Sequence, residues 1–279
     1  MGTATELSPL VDFMNRIDQK FKTLKAQKKK ALIVFITAGD PSLEATVKLV
    51  LAFEKAGADI IELGVPFSDP LADGPTIQAS SQRALGHHVT LAKILQLVGR
   101  IRQKSQIPLS LMMYYNSIFH YGEKRFVDDV KRLGVDGLIV PDLPFEEAGN
   151  LVRLTKANDV SLVFFLSPTT TRERMKRVAQ ISRGFIYYVS LTGVTGARTS
   201  LPTDILKQVQ AAKRSTKKPV CIGFGISTPQ QAKQMAKVAD GVIVGSAVIN
   251  VIQKNKGKSD LVKNAAGYVR QLSKAIQSS

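Results

Sequence analysis

The chain has 279 residues, 44% of them hydrophobic and 22% charged, which suffices for one complete α/β barrel, although length alone also permits two domains. Its longest apolar runs, at 31–36 and 162–166, are far shorter than the ~20 residues of a membrane helix, so we expect no membrane association. Lysine and arginine exceed the acidic residues by 39 − 22 = 17, but they are dispersed, with short runs only at 28–30 and 217–218 and no interleaved aromatic residues. This distribution favours a solvated basic surface that attracts an anionic substrate, rather than a nucleic-acid binding surface.

The predicted elements alternate between helices and strands. Apolar residues at helical spacing predict a leading helix over 8–26, and a polar turn at 27–30 precedes the first strand at 31–37. Further strands are predicted at 58–63, 108–114, 136–141, 161–166, 185–190, 219–223 and 240–244. Helices are predicted at about 42–55, 90–104, 123–133, 145–158, 171–182, 202–215, 228–238 and 259–276, with an extra short helix near 77–85.

This alternation favours a parallel sheet, because parallel neighbours need a long crossover connection. Eight strand–helix units in about 250 residues fit a closed barrel better than an open doubly wound sheet. A doubly wound fold would also place a glycine-rich dinucleotide fingerprint after its first strand, and none follows here. We therefore predict a single α/β domain over 1–279, with an N-terminal helix and turn at 1–30 and a (β/α)8 TIM barrel at 31–279.

The stretch from Ile60 to Pro75 points most clearly to chemistry. Side chains alternate along a strand, so Glu62 shares a face with Ile60, where an apolar residue is expected. A buried carboxylate raises its pKa or finds a specific hydrogen bond, and this is how a general acid or base arises at neutral pH. Three prolines and two glycines restrict the backbone around Asp73. The alternative is a structural ion pair at Glu62 and an ordinary turn residue at Asp73.

Glycines follow the seventh and eighth predicted strands, at Gly223, Gly225 and Gly245, and Ser246 stands where a short helix can begin. In a (β/α)8 barrel, these two loops build a phosphate site from backbone N–H groups at a helix N-terminus. Ordinary turns are the alternative, but the position within the repeat favours a phosphate site.

Other candidate features carry less information. The loop at 191–199 is rich in small residues, which is typical of a lid that excludes water, although a plain connection has the same composition. The three histidines, His87, His88 and His120, lack the spacing of metal ligands, so we expect no metal site.

The single cysteine, Cys221, excludes an internal disulfide and fits a reducing compartment. We interpret it as a small apolar strand residue. The N-terminus lacks a basic segment followed by an apolar core, so no secretory signal is expected. These features predict a cytoplasmic protein.

Several motifs resemble those of one family, the tryptophan synthase α subunits. The run from Glu62 to Gln78 matches the signature of that family without a visible departure. Shorter matches occur at 35–41, 140–144, 193–196, 223–227 and 245–247. The resemblance therefore extends over nearly the whole chain.

The resemblance implies a carbon–carbon lyase in the last steps of L-tryptophan biosynthesis. Its reaction is the retro-aldol cleavage of indole-3-glycerol phosphate to indole and D-glyceraldehyde 3-phosphate. By the same resemblance, Glu62 delivers a proton to indole C3 and takes one from the glycerol 3′-hydroxyl, and Asp73 accepts or stabilises the proton of the indole nitrogen. Thr195 closes the lid over Asp73. The resemblance places Gly196, Gly225, Gly245 and Ser246 on the phosphate, and Phe35, Met112, Tyr114, Ile139, Tyr187 and Phe224 around the indole or the reacting carbons.

A partner is also implied by the resemblance. The pyridoxal-phosphate β subunit of tryptophan synthase would receive indole from this chain within an α2β2 heterotetramer, while this chain would need no metal or organic cofactor. The expected contact region comprises the loops after the second and sixth strands, with Pro66 and Asp69, and the segment near Pro141.

Three other functions remain open at this point. The chain could be a binding subunit that activates a partner enzyme and has weak activity of its own. It could be another sugar-phosphate barrel enzyme, such as an isomerase or epimerase, but that class lacks the run from Glu62 to Gln78. Nucleic-acid binding, suggested by the charge, is the third.

Overall fold

The computed structural model describes residues 14–189, 203–223 and 225–278. Within these ranges the strands are β1 (Ala31–Thr37), β2 (Ile60–Gly64), β3 (Leu109–Met112), β4 (Gly137–Ile139), β5 (Ser161–Leu166), β6 (Ile186–Val189), β7 (Val220–Gly223) and β8 (Gly241–Val244). Each strand pairs in parallel with the next one in the chain, and β8 pairs with β1, so the sheet is closed. The predicted (β/α)8 barrel is confirmed.

Helices cover the outside of the barrel and connect its strands. The helices are α1 (Arg16–Ala26), α2 (Leu43–Ala56), α3 (Pro75–Gly86), α4 (Leu91–Arg102), α5 (Tyr115–Tyr121), α6 (Glu123–Leu133), α7 (Gly149–Ala157), α8 (Arg172–Ile181), α9 (Thr203–Arg214), α10 (Pro229–Ala236), α11 (Ser246–Lys254) and α12 (Leu261–Gln277). Among the described residues, none of these helices combines the length and the apolar character needed to cross a bilayer.

The predicted elements agree with the structure apart from their ends and one omission. The leading helix begins at Arg16 rather than earlier, because the Asn15 side chain accepts a hydrogen bond from the backbone N–H of Ile17 and caps the helix there. Residues 8–13 of that prediction lie outside the described residues. Helix α5 was not predicted, whereas α11 begins at Ser246, directly after Gly245, where a short helix was expected.

Alternation along the strands separates two apolar layers. Ile61 and Leu63 of β2 point outward and pack between the sheet and the helices, whereas Ile60 points into the barrel. The interior layer also contains Ile33, Ile139, Val163, Tyr187 and Ile243. Glu62 shares the parity of Ile60, so its side chain belongs to the interior, as the sequence pattern predicts.

Helix α1 closes the amino-terminal end of the barrel, which we call the base. Its buried residues Ile17, Phe21 and Leu24 belong to the same apolar cluster as the barrel interior. Glycines make room for it: a Cβ at Gly137 would lie 2.8 Å from Cδ1 of Ile17, and one at Gly184 would lie 3.1 Å from Cγ2 of Ile17. With the base filled in this way, a substrate site belongs at the opposite end.

Candidate active site

Glu62 lies in β2, between Phe35 of β1 and Ser110 of β3 in the strand register. Its side chain is fully buried, and neither carboxyl oxygen has a hydrogen-bond partner within the described residues. Burial, together with the negative charge of Asp73, raises its pKa to about 8. A carboxyl group in this environment holds its proton at neutral pH and can donate it.

Asp73 lies in the loop between β2 and α3 and is half-buried. Burial raises its pKa to about 6, and a hydrogen bond from the Tyr114 hydroxyl partly offsets this effect. At neutral pH, Asp73 is therefore mostly ionised while Glu62 is mostly protonated. Two neighbouring carboxyl groups with separated pKa values can act as an acid and a base in one reaction.

Tyr114 holds the loop that carries Asp73 against the end of β3. Its hydroxyl oxygen accepts a hydrogen bond of 2.9 Å from the backbone N–H of Ala72. Its ring stacks on Phe67 of the same loop, with ring centroids 5.0 Å apart and planes 20° apart. One side chain thus fixes both the backbone and the acidic group of the loop.

A cavity of about 580 Å³ lies at the carboxyl ends of the strands, which we call the mouth. This volume is typical of small-molecule sites, which span ~300–1,000 Å³. Phe35, Met112 and Tyr187 form its apolar wall. A smaller recess contains Asp73 and shares Phe35, Ile77 and Met112 with the cavity. The loop at 65–74 that carries Asp73, which we call the acidic loop, therefore adjoins the apolar wall.

Two glycines allow the aromatic rings to lie across the mouth. A Cβ at Gly64 would lie 2.5 Å from Cζ of Phe35, and one at Gly223 would lie 2.6 Å from the Tyr187 hydroxyl oxygen. Any larger residue at either position would displace a ring of the cavity wall. Burial and the nearby Glu62 raise the pKa of Tyr187 well above its usual value, so its phenol stays neutral.

The wall formed by the last two strands contains a helix N-terminus. Gly245 is the N-cap of α11, Ser246 is its first residue, and both line the cavity. Gly225, after β7, also lines the cavity and has a φ of 43°, in the left-handed region that favours glycine. Unpaired backbone N–H groups and the helix dipole make such a terminus suitable for an anion.

The predicted site residues are distributed unevenly over this geometry. Phe35, Met112, Tyr187, Gly225, Gly245 and Ser246 line the main cavity, and Asp73 and Tyr114 line the adjoining recess. Ile139 lies deeper, in the barrel interior, paired with Met112 and Val163. Thr195, Gly196 and Phe224 lie outside the described residues, as does the predicted lid at 191–199.

Sequence reasoning missed part of the cavity wall. Ile77 and Asn250 both line the cavity. Helical spacing could have identified Asn250, since it lies four residues after Ser246 and therefore on the same face of α11. Within the described residues, no cluster of three or more His, Cys, Asp or Glu side chains has an arrangement suited to a metal ion.

Comparison with known proteins gives a consistent result. The family described as "Tryptophan synthase alpha chain" matches residues 21–277 of this chain. The tryptophan synthase alpha chain of Thermoanaerobacter sp. (strain X514) is 49% identical over 263 residues, covering 94% of this chain and 100% of the relative. The alpha chain of Geotalea daltonii is 54% identical over 245 residues, covering 88% of this chain and 93% of the relative.

Solved structures agree with this result. Tryptophan synthase subunit alpha from Legionella pneumophila str. Paris superposes with a TM-score of 0.90 at 40% identity, covering 95% of this chain and 100% of that chain. A chain of Mycobacterium tuberculosis tryptophan synthase superposes with a TM-score of 0.87 at 32% identity, covering 95% of this chain and 99% of that chain.

Proposed function

The chain belongs to the tryptophan synthase alpha chain family, and from this premise we propose that it cleaves indole-3-glycerol phosphate to indole and D-glyceraldehyde 3-phosphate. One observation carries the proposal: the buried, unpartnered carboxyl group of Glu62 lies near Asp73, below a cavity whose other wall presents a helix N-terminus. An isomerase or epimerase would also need a phosphate site, but the family membership favours the lyase.

The first half of the proposed reaction makes C3 of the indole ring a leaving carbon. Glu62 donates its proton to C3, and Asp73 accepts the proton of the indole N–H. The product is an indolenine whose C3 is tetrahedral. This step uses the two groups in the states that their pKa values favour at neutral pH, with Glu62 protonated and Asp73 ionised.

The second half breaks the carbon–carbon bond. Glu62, now a carboxylate, takes the proton of the glycerol 3′-hydroxyl, and that carbon becomes the aldehyde of glyceraldehyde 3-phosphate. The electrons of the broken bond restore the C2=C3 double bond of indole, and Asp73 returns the proton to the ring nitrogen. Both carboxyl groups end in their starting states, so the proposed chemistry requires no metal or organic cofactor in this chain.

Binding of the substrate would use the rest of the cavity. The phosphate would lie at the N-terminus of α11, where Gly245 and Ser246 expose backbone N–H groups, with Gly225 approaching from the β7 loop. The indole ring would lie on the apolar wall of Phe35, Met112 and Tyr187. This placement directs the reacting carbons toward the two carboxyl groups.

The proposed partner is a pyridoxal-phosphate β subunit that receives indole, in an α2β2 assembly. Two large apolar side chains support a contact surface at the mouth: Leu71, in the acidic loop, is 96% exposed, and Phe119, in α5, is 70% exposed. Contiguous exposed apolar surface marks interaction sites in soluble proteins, and in this proposal both side chains belong to one such surface. The cytoplasmic location remains a prediction from the sequence.

The test is an assay of indole formation by the purified chain, alone and with a tryptophan synthase β subunit. Glu62→Gln should lower kcat by about 10²–10⁴, because it keeps the shape of the side chain and removes the transferable proton. Binding of indolepropanol phosphate, an unreactive substrate mimic, should remain within about threefold of wild type by calorimetry. Asp73→Asn should also reduce kcat strongly.

Matched controls make the same chemical changes on the surface. Glu44→Gln alters a side chain that is 67% exposed, and Asp128→Asn alters one that is 46% exposed, and neither should change kcat. Wild-type turnover in Glu62→Gln would refute its assigned role. Absence of indole formation by the unmodified chain with its β subunit present would leave a purely activating binding subunit as the better function.

A further inference from the structure

A second cavity, of about 290 Å³, lies at the base of the barrel, at the opposite end from the mouth. Its floor is apolar and consists of Phe21 and Leu24 of α1 together with Pro219, which precedes β7. Lysines form its wall: Lys25, Lys28, Lys29, Lys30, Lys217 and Lys218. The two basic runs of the sequence, separated by almost the whole barrel in the chain, are thereby brought together.

The positive charge of this lysine pocket is only partly compensated, since Asp18 acts on Lys218 and Asp59 on Lys29 from outside the lining. Among the described residues that line it, Asp240 is the one acidic residue. Its Oδ1 lies 2.7 Å from Nζ of Lys213, a lysine outside the lining, and 4.0 Å from Nζ of Lys30. Lys218 donates to the backbone carbonyl oxygens of Gln180 and Ser182. Lys30 and Lys218 of the pocket thus have partners that hold them in place.

Other lysines of the pocket are free to bind a ligand. Within the described part of the chain, no hydrogen bond or ion pair engages the ammonium groups of Lys25, Lys28 or Lys217, and all three side chains are exposed. The backbone of Lys28 has a φ of 54°, and its N–H donates to the carbonyl of Lys25, so the turn that ends α1 fixes where this part of the wall lies.

Electrostatics explains why such a pocket would attract an anion. Burial and the neighbouring Lys213 lower the pKa of Lys30, and burial lowers that of Lys218, so the partly buried lysines disfavour their own charge. A bound anion would offset this repulsion. Several ammonium groups around one concave space also focus a positive potential in it, which raises the local concentration of negatively charged molecules.

We propose that this lysine pocket is an anion site, separate from the active site, that binds a small phosphorylated molecule carrying two or more negative charges. Compact ammonium groups suit phosphate oxygens as point charges. The apolar floor and the volume, near the lower end of the range for small-molecule sites, favour a small ligand. Nucleic acid fits less well, because Phe21, the one aromatic residue in the described part of the lining, is buried and offers no exposed face for base stacking.

Titration calorimetry of the full chain with inorganic tripolyphosphate at low ionic strength tests the proposal. The pocket variant Lys25→Gln/Lys28→Gln/Lys217→Gln should weaken binding by about tenfold or more, because it removes three charges from one wall. The charge-conserving variant Lys25→Arg/Lys28→Arg/Lys217→Arg should bind like wild type. Indole formation should be unchanged in both variants, since none of these lysines lies at the mouth.

The matched control is Lys48→Gln/Lys176→Gln/Lys263→Gln, which removes the same charge from exposed positions on α2, α8 and α12. It should retain wild-type affinity for tripolyphosphate. Equal losses in the pocket and control variants would show that only net charge matters and would overturn the proposal, as would no binding by the wild type. A single-stranded oligonucleotide that binds far more tightly than tripolyphosphate, and loses its affinity in the pocket variant, would replace the small-molecule site with a nucleic-acid surface.

Discussion

Glu62 combines two properties that ordinary core residues do not. It is fully buried in the interior of the barrel, yet both of its oxygens lack a hydrogen-bond partner among the described residues. Such a group costs stability, and the cost is greater when it is ionised than when it is protonated. Glu62 bears this cost beside Phe35, which lines the mouth cavity. A carboxyl group in such an unfavourable environment is expected where chemistry requires a proton donor.

The pKa values of Glu62 and Asp73 predict a bell-shaped dependence of kcat/KM on pH. The productive form has Glu62 protonated and Asp73 ionised. Activity should therefore fall below about pH 6, as Asp73 gains a proton, and above about pH 8, as Glu62 loses one. Initial rates of indole formation at low substrate concentration, measured from below pH 6 to above pH 8, check both falls in activity. A flat profile between them and beyond would contradict the assigned protonation states.

Glu62 also predicts a pH dependence of stability. Unfolding returns its pKa from about 8 to the ordinary value of 4.5, so between these values the folded chain keeps a proton that the unfolded chain has lost. The contribution of this retained proton to the free energy of unfolding is therefore complete below pH 4.5 and is lost as the pH rises to about 8. Glutamine does not titrate, so Glu62→Gln should be more stable than wild type at alkaline pH, by a few kcal/mol as an order of magnitude.

Thermal unfolding followed by circular dichroism at a series of pH values measures this effect. The difference in Tm between Glu62→Gln and wild type should grow as the pH rises from about 5 to about 8 and then level off. The surface control Glu44→Gln should show no such growth. A constant difference across this range would mean that Glu62 ionises in the folded protein with an ordinary pKa.

At the scale of elements, α3 determines where the acidic loop ends. Arg83 of α3 forms a bidentate pair with Asp40, which follows β1, with Nε–Oδ1 and Nη2–Oδ2 distances of 3.0 and 2.7 Å. The hydroxyl groups of Thr37 and Ser80 form a second link, 2.6 Å long. Both contacts join α3 to the end of β1, so the loop that carries Asp73 is anchored after the catalytic region as well as before it.

Arg83→Met should therefore destabilise the protein and loosen this loop. The substitution leaves the carboxylate of Asp40, which is 3% exposed, without its charged partner, and breaking a buried pair in this way costs about 3–5 kcal/mol. Urea unfolding measures the loss. Arg100→Met is the matched control, since its pair with Glu44 is exposed and 3.8 Å long, and it should cost less than about 1 kcal/mol. Equal costs would mean that the α3 anchor contributes little.

Particular elements show what the sequence can and cannot predict. The strands were predictable because apolar runs of the right length recur between helical segments, and Glu62 stood out because it interrupts the period of two in β2. Helix α5 was missed because its buried set contains only Ile118, so it has no apolar periodicity. The pair of Arg83 with Asp40 was not visible either, because contact between residues 43 positions apart depends on the closed barrel rather than on local spacing.

At the scale of the whole molecule, the two ends of the barrel have different roles. The mouth combines carboxyl groups, an apolar wall and a helix N-terminus. The base combines the apolar contacts of α1 with the lysine pocket. Lys25 of α1 and three lysines of the turn that follows it belong to that pocket, so the helix that closes the barrel and its turn together carry much of the pocket wall.

Ile17 is the residue of α1 that fills the base of the barrel between Gly137 and Gly184. Ile17→Ala should cost about 2–5 kcal/mol of unfolding free energy, since it leaves a cavity that the strands cannot close. At a temperature where the variant remains folded, kcat/KM for indole formation should stay near the wild-type value, because the mouth lies at the other end of the strands. Met14→Ala, at a side chain that is 45% exposed, is the control and should change stability by less than about 0.5 kcal/mol. An Ile17→Ala variant as stable as wild type would show that α1 is not a necessary part of the barrel core. A large loss of kcat/KM in the folded variant would show that the base is coupled to the active site.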